Sequence, residues 1–180
     1  MKFNVPNILT LLRILMIPVF MLVLGLGGTD GRALIAATAI FAAASATDLL
    51  DGYIARKRNL ITNFGKFADP LADKLLVSAA LVAMVELERI PGWIAVLIIA
   101  REFIVTGLRL VAVNQNVVIA AGIWGKLKTA SQMLMVIFVL PGFTYTPLRM
   151  AGLFLIMLSA ALTVVSMADY LVKYAFVLKE

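Results

Sequence analysis

The chain has 180 residues, 63% of them apolar, a mean hydropathy of +1.03 and a formal charge of +6. Soluble domains are only about half apolar, so the composition points to a lipid-solvated chain whose basic loops face an anionic leaflet, and away from a nucleic-acid binder. Cysteine and histidine are both absent, which excludes disulfides, thiolate chemistry and imidazole acid–base catalysis, and leaves only hard, oxygen-liganded cations as metals.

The opening Met1–Thr10 carries one lysine before an apolar run. No small-residue cleavage site closes the run and Arg13 interrupts it, so it reads as retained rather than as a signal peptide. Residues 3–8 are expected along the membrane interface, set off by Pro6 from the first span. Six stretches approach the roughly 20 apolar residues of a span. The first covers about Ile8–Leu26 and ends in a glycine-rich loop. The second runs over about Arg32–Arg56 and is rich in Ala and Gly, which lets helices pack closely in lipid. A basic link, Lys57–Gly65, leads to a third span from Asp69-Pro70 to Val85, with Pro70 in the first helical turn. The fourth, fifth and sixth spans cover about Trp93–Val113, Gly122–Leu140 and Leu148–Val172.

An even number of spans puts both termini on one side. That side holds nine basic residues (Lys2, Arg56, Lys57, Arg58, Lys66, Lys126, Lys128, Lys173, Lys179) against three on the other (Arg32, Arg89, Arg149). The positive-inside rule then places the termini in the cytoplasm. The expected fold is a single all-α membrane domain over residues 1–180, a six-helix transmembrane bundle with a short interfacial segment at its start.

Four of the ten acidic residues, Asp48, Asp51, Asp69 and Asp73, fall where the second span ends and the third begins. Spacings of three and four put each pair on one helix face, at similar cytoplasmic depth if the helices form a hairpin. Four converging carboxylates need neutralising cations, and two divalent ions would balance them, a common device for phosphoryl chemistry. The plain alternative is solvated carboxylates at two helix ends. Gly52, Ala55 and Gly65 leave room for a flat ligand or a neighbouring helix, and Arg56 suits a diphosphate or simply snorkels. Arg101, Glu102 and Arg109 interrupt the fourth span and Lys126 and Lys128 begin the fifth. Arg101, Arg109 and Lys126 together would make a cationic pocket for a phosphate monoester; pairing with Glu102 and interface anchoring is the alternative. Asn7, Thr10 and Arg13 form a third polar group, readable as a further site element or as a helix cap with a snorkelling cation.

The run Asp48-x-x-Asp51-Gly52-x-x-Ala55-Arg56, eight residues, then Gly65-x-x-x-Asp69-x-x-x-Asp73 resembles the full signature of the CDP-alcohol phosphotransferase family. Asn7–Arg13, Asp69–Leu76, Ala100–Arg109 and Gly125–Thr129 are similar to the bacterial phosphatidylglycerophosphate synthase branch of that family. The resemblance implies transfer of a phosphatidyl group from CDP-diacylglycerol to sn-glycerol 3-phosphate with release of CMP. It implies two Mg²⁺ or Mn²⁺ ions on Asp48, Asp51 and Asp69, with Asp73 as general base and possible further ligand. Gly52, Ala55, Arg56 and Gly65 would line the CDP-lipid site, and Arg101, Arg109 and Lys126 would bind the acceptor phosphate. It further implies a homodimer in a bacterial inner membrane, with the site facing the cytoplasm. The competing readings are a related enzyme with another acceptor, such as inositol phosphate, and a divalent-cation transporter, which would carry polar residues through both halves of its spans.

Overall fold

A helix satisfies its own backbone N–H and C=O groups without water, which a chain this apolar requires. The computed structural model describes residues 5–58, 63–115, 117, 119–120 and 122–178. The side chains of 5–6, 48–58, 63–64, 66–67, 114 and 178 are outside that description. Six helices follow in order: α1 (Val5–Gly27), α2 (Gly31–Arg58), α3 (Asn63–Glu86), α4 (Gly92–Asn114), α5 (Ile123–Val139) and α6 (Thr146–Tyr174), closed by a 3-10 turn, Ala175–Leu178. Among the described residues there is no strand.

Two boundaries differ from expectation, both at proline. From Val5 onward Pro6 does not interrupt the helix but sits in the first turn of α1, where a missing N–H is tolerated, while residues 3 and 4 of the expected interfacial segment lie outside the described residues. Pro70 does not start α3 but lies a full two turns inside it. It removes one ladder bond near the helix start, which neighbouring helices and polar side chains make good in membrane helices. The expected link Lys57–Gly65 shortens accordingly, and residues 59–62 lie outside the described residues.

α1 and the stretch Thr146–Val177 are long and apolar enough to cross a bilayer, and Gly31–Thr47 in α2 is a shorter apolar helix. The other helices are interrupted by the charged residues named above. α1 packs along both α2 and α3, α5 along α6, and α4 against α3 and α6. Hydroxyls on these apolar helices bond back to the preceding turn, as Thr38 does to the Leu34 carbonyl and Thr106 to that of Glu102.

The interior is polar at one end and apolar at the other. Phe20, Phe41, Leu81, Ile94 and Leu140 fill the apolar end, with Phe20 and Phe41 ring centroids 6.4 Å apart. Asn7, Thr10, Arg13, Arg101, Lys128 and Ser166 are buried at the other end. These polar residues come alternately from helix starts (α1, α5) and from later turns (α4, α6), as an up-and-down arrangement demands. Outside, the exposed face of α1 reads Ile8, Leu12, Leu15, Val19, Leu22 and Leu26, at helical spacing. An apolar exterior around buried charge is the distribution of a protein solvated by lipid.

Candidate active site

Three polar turns of α1 face the first turns of α3. Asn7, Thr10 and Arg13 lie at three-residue intervals, so they share one face, and all three are buried. Thr10 donates a hydrogen bond to Asp69 Oδ1. Arg13 Nη1 donates to Asp73 Oδ1 at 2.8 Å, from a side chain with no exposure to one that is 40% exposed. The group that sequence alone left between cap and site therefore holds the two aspartates of α3. Gly65 is buried one turn before Asp69. Asp48, Asp51, Gly52, Ala55 and Arg56 lie on the helical backbone of α2, with side chains outside the described residues.

Asp69 and Asp73 line one wall of a cavity of about 290 Å³. Lys74, Arg109 and Lys128 line it too, with Glu102 between them. A carboxylate wall and a cationic wall thus share one space. Ser45 Oγ and Arg109 Nε are buried in its surroundings without a hydrogen-bond partner among the described residues. Buried polar atoms without partners mark places where a ligand or water completes the bonding.

The cationic wall is built by α4, α5 and α6. Glu102 accepts from Arg101 Nη1 at 3.0 Å and from Lys128 Nζ. Arg101 Nη2 also donates to Ser166 Oγ. Arg109 Nη2 donates to Tyr170 OH at 2.7 Å, the Gly122 N–H donates to the same oxygen at 3.2 Å, and the hydroxyl donates to the Ala120 carbonyl at 3.2 Å. One donor and two acceptor positions of a phenol are thereby all used. The Tyr170 ring lies 5.3 Å from the Arg101 guanidinium carbon and 5.4 Å from that of Arg109, within cation–π range. Gly125 borders this group, and a Cβ there would sit in ordinary van der Waals contact, 3.6 Å from Tyr170 OH and 3.7 Å from Arg101 Nη2.

Of the three residues expected to hold the acceptor phosphate, the structure brings Arg101 and Arg109 together around Tyr170. Lys126 is exposed and does not line the cavity; Lys128, two residues on, is buried and does. A shift of two residues turns a helix by about 200°, so only one of the pair can face inward. The reading also missed α6. Ser159, Thr163, Ser166 and Tyr170, spaced 4, 3 and 4 apart, form a buried polar stripe in an otherwise apolar helix. That spacing was available in the sequence and was hidden by the length of the apolar run around it.

As to metal, Asp69 and Asp73 supply hard oxygen donors one turn apart on the cavity wall, which suits Mg²⁺ or Mn²⁺. Among the described residues no group of three or more metal-ligating side chains forms; the remaining two acids of the motif belong to the part of α2 whose side chains are not described.

Residues 3–170 match the CDP-alcohol phosphatidyltransferase family. The chain is 50% identical over 144 residues (74% of it, 75% of the relative) to the CDP-diacylglycerol–glycerol-3-phosphate 3-phosphatidyltransferase of Bacillus subtilis. It is 40% identical over 179 residues (95% and 93%) to the protein of that name from Haemophilus influenzae. To the one from Pseudomonas fluorescens it is 40% identical over 177 residues (93% and 88%). A match that runs through all six helices, with the family's acidic signature on α2 and α3 and a basic wall facing it, leaves one assignment: the chain belongs to the CDP-alcohol phosphatidyltransferase family.

Proposed function

We infer that the protein transfers the phosphatidyl group of CDP-diacylglycerol to sn-glycerol 3-phosphate, forming phosphatidylglycerophosphate and releasing CMP. The observation that carries this is the single cavity in which Asp69 and Asp73 face Arg109 and Lys128. The family chemistry needs the first wall. An acceptor that is itself a phosphate monoester needs the second, and an uncharged acceptor does not. Relatives at 40–50% identity bear the name of this reaction.

In this reading Asp73 takes the proton of the glycerol hydroxyl, whose oxygen forms a bond to the lipid-side phosphorus as the diphosphate bridge breaks and CMP leaves. Arg13 bonds Asp73 Oδ1 at 2.8 Å and so fixes its rotamer, as a positioned base requires. Asp48, Asp51 and Asp69, with Asp73, would hold two divalent cations, Mg²⁺ or Mn²⁺, which neutralise diphosphate charge and acidify the attacking hydroxyl. Gly52, Ala55, Arg56 and Gly65 form the CDP side of the site, and Arg101, Arg109 and Lys128 the acceptor side, with Lys126 at its exposed rim. The six helices all span the inner membrane of a bacterium as one domain. Both termini and the site face the cytoplasm, where glycerol phosphate is dissolved, and the acyl chains stay in lipid. The homodimer follows from the family resemblance, and small residues on α3 and α4 would allow it.

The test is CMP release by the purified protein with CDP-diacylglycerol, glycerol 3-phosphate and Mg²⁺ or Mn²⁺. Release is expected only when both substrates and the metal are present. Equal release with inositol phosphate, serine or phosphatidylglycerol as acceptor would replace this reading with that of a related enzyme. Metal flux into liposomes without CMP release would make the protein a transporter.

A further inference from the structure

A second polar pocket lies at the end of the bundle opposite Asp69 and Asp73, and the proposed reaction does not use it. It is a cavity of about 190 Å³ where the α3–α4 and α5–α6 connections meet. Arg89 comes from the first connection, and Gly142 and the first turn of α6 come from the second.

Arg89 is held in place. Its guanidinium lies against Gly142, where a Cβ would collide with it, and Gly142 has φ +66°, which glycine adopts without steric cost. Yet the group is not satisfied. Its Nε is buried without a hydrogen-bond partner among the described residues, and no carboxylate among them forms an ion pair with it. Arg149, in the first turn of α6, lines the same cavity. Tyr145 gives that helix no side-chain cap, so its leading N–H groups add positive potential. Glu88, on the rim and exposed as Arg149 is, opposes an anion, but it is one carboxylate against two guanidinium groups, of which Arg89 is the more enclosed.

The remaining wall is apolar. Phe138 lies in the last turn of α5, four residues before Gly142, and Leu153 and Ile156 lie one and two turns from Arg149 along α6. Both runs lead from the arginines toward the middle of the bundle. Free phosphate would gain nothing from such a wall, whereas an amphiphile fits both parts. We propose that this pocket binds an anionic phospholipid, with Arg89 and Arg149 on its phosphate oxygens and an acyl chain along Phe138 and Ile156.

The experiment is lipid retention by the full chain in neutral detergent, read by native mass spectrometry with dioleoylphosphatidylglycerol, dioleoylphosphatidylcholine or inorganic phosphate. The anionic lipid is expected to be retained about tenfold over the zwitterionic one, the scale of one charge-assisted bond. Arg89→Gln is expected to remove most of that preference and Arg149→Gln part of it. Turnover with CDP-diacylglycerol in detergent should stay within about twofold in both variants, since neither residue touches the reaction site. Equal retention by the wild type and Arg89→Gln overturns the proposal, as does displacement of the lipid by millimolar phosphate, which would mark a simple anion site. If Arg89→Gln does not fold, Arg89→Lys and Arg149→Gln carry the same comparison, and unchanged retention in both overturns it. Lipid retention is read without catalysis, so the result stands apart from the reaction proposed above.

Discussion

Glu102 is the pivot of the cationic wall. Its Oε1 accepts from both Arg101 and Lys128, which are buried. Removing one partner from a buried ionic group costs about 3–5 kcal/mol, more than the pair contributes net. Lys128→Met is therefore expected to lower stability and to raise the KM for glycerol 3-phosphate about tenfold, whereas Lys126→Met changes it by less than about twofold. Steady-state kinetics of the two variants checks this, and a larger effect at Lys126 moves the phosphate site outward. The double variant Glu102→Gln/Lys128→Met leaves the buried Arg101 without its carboxylate and should be less stable than Lys128→Met, in which Arg101 and Glu102 stay paired. The sequence grouped Arg101, Arg109 and Lys126 as a cationic pocket, and in the structure it is Lys128 rather than Lys126 that is buried on the cavity wall. Charge is legible one residue at a time, but facing is not. In a helix start as short of periodic signal as Ile123–Thr129, only the packed neighbours decide which lysine turns inward.

At the scale of the element, α6 shows how an apolar span can carry site geometry without an ionisable residue in its middle. The stripe Ser159–Thr163–Ser166–Tyr170 bonds its own turns, Gln132 of α5, Arg101 and Arg109. Tyr170→Phe keeps the ring between the two arginines and loses the hydroxyl that Arg109 and the Gly122 N–H use. A hydrogen bond to a charged group contributes about 1.5–3 kcal/mol, so the KM for glycerol 3-phosphate should rise about tenfold, and Tyr170→Leu should raise it further. The KM for CDP-diacylglycerol should move less than about twofold; an equal rise in both would show that α6 supports the whole fold instead. Most element boundaries were legible to within two residues, because hydropathy marks them directly. α3 was not, because Pro70 was taken as a first-turn residue, and a bilayer helix tolerates proline inside.

For the whole molecule, the sorting of polar and apolar ends is the main result. Among the described residues, the buried polar groups of α1, α4, α5 and α6 gather towards one end although they come from helix starts in some and from later turns in others. The chain has no cysteine, so single introduced cysteines report topology without background. Thr29→Cys and Thr144→Cys, in exposed connections, are expected to react with a membrane-impermeant maleimide from one side of sealed vesicles, and Lys173→Cys from the other. Labelling of all three from the same side would exclude the six-span arrangement. The six all-α elements were legible from the apolar runs, while the six-span arrangement rests on loop charge and span count and is what the labelling tests. The carboxylate cluster was legible only as spacing, since Asp48 and Asp51 lie beyond the described side chains. The anchoring of α3 by α1 required three dimensions, for its partners are 59 and 60 residues apart.

That separation bears on how the protein enters its membrane. α3 carries Asp69, Asp73 and Lys74 within two turns, and each ionisable residue near the centre of a span opposes insertion by about 2.5–3.5 kcal/mol. α1 is synthesised first, is apolar enough to insert unaided, and presents Thr10 and Arg13 to Asp69 and Asp73. In a translocon insertion assay, α3 alone should integrate poorly and α3 preceded by α1 and α2 should integrate well; Arg13→Ala should weaken the difference. The residues that hold the aspartates for chemistry would then also be what admits them to the bilayer, and the order of the helices in the chain becomes the order in which the site can be assembled.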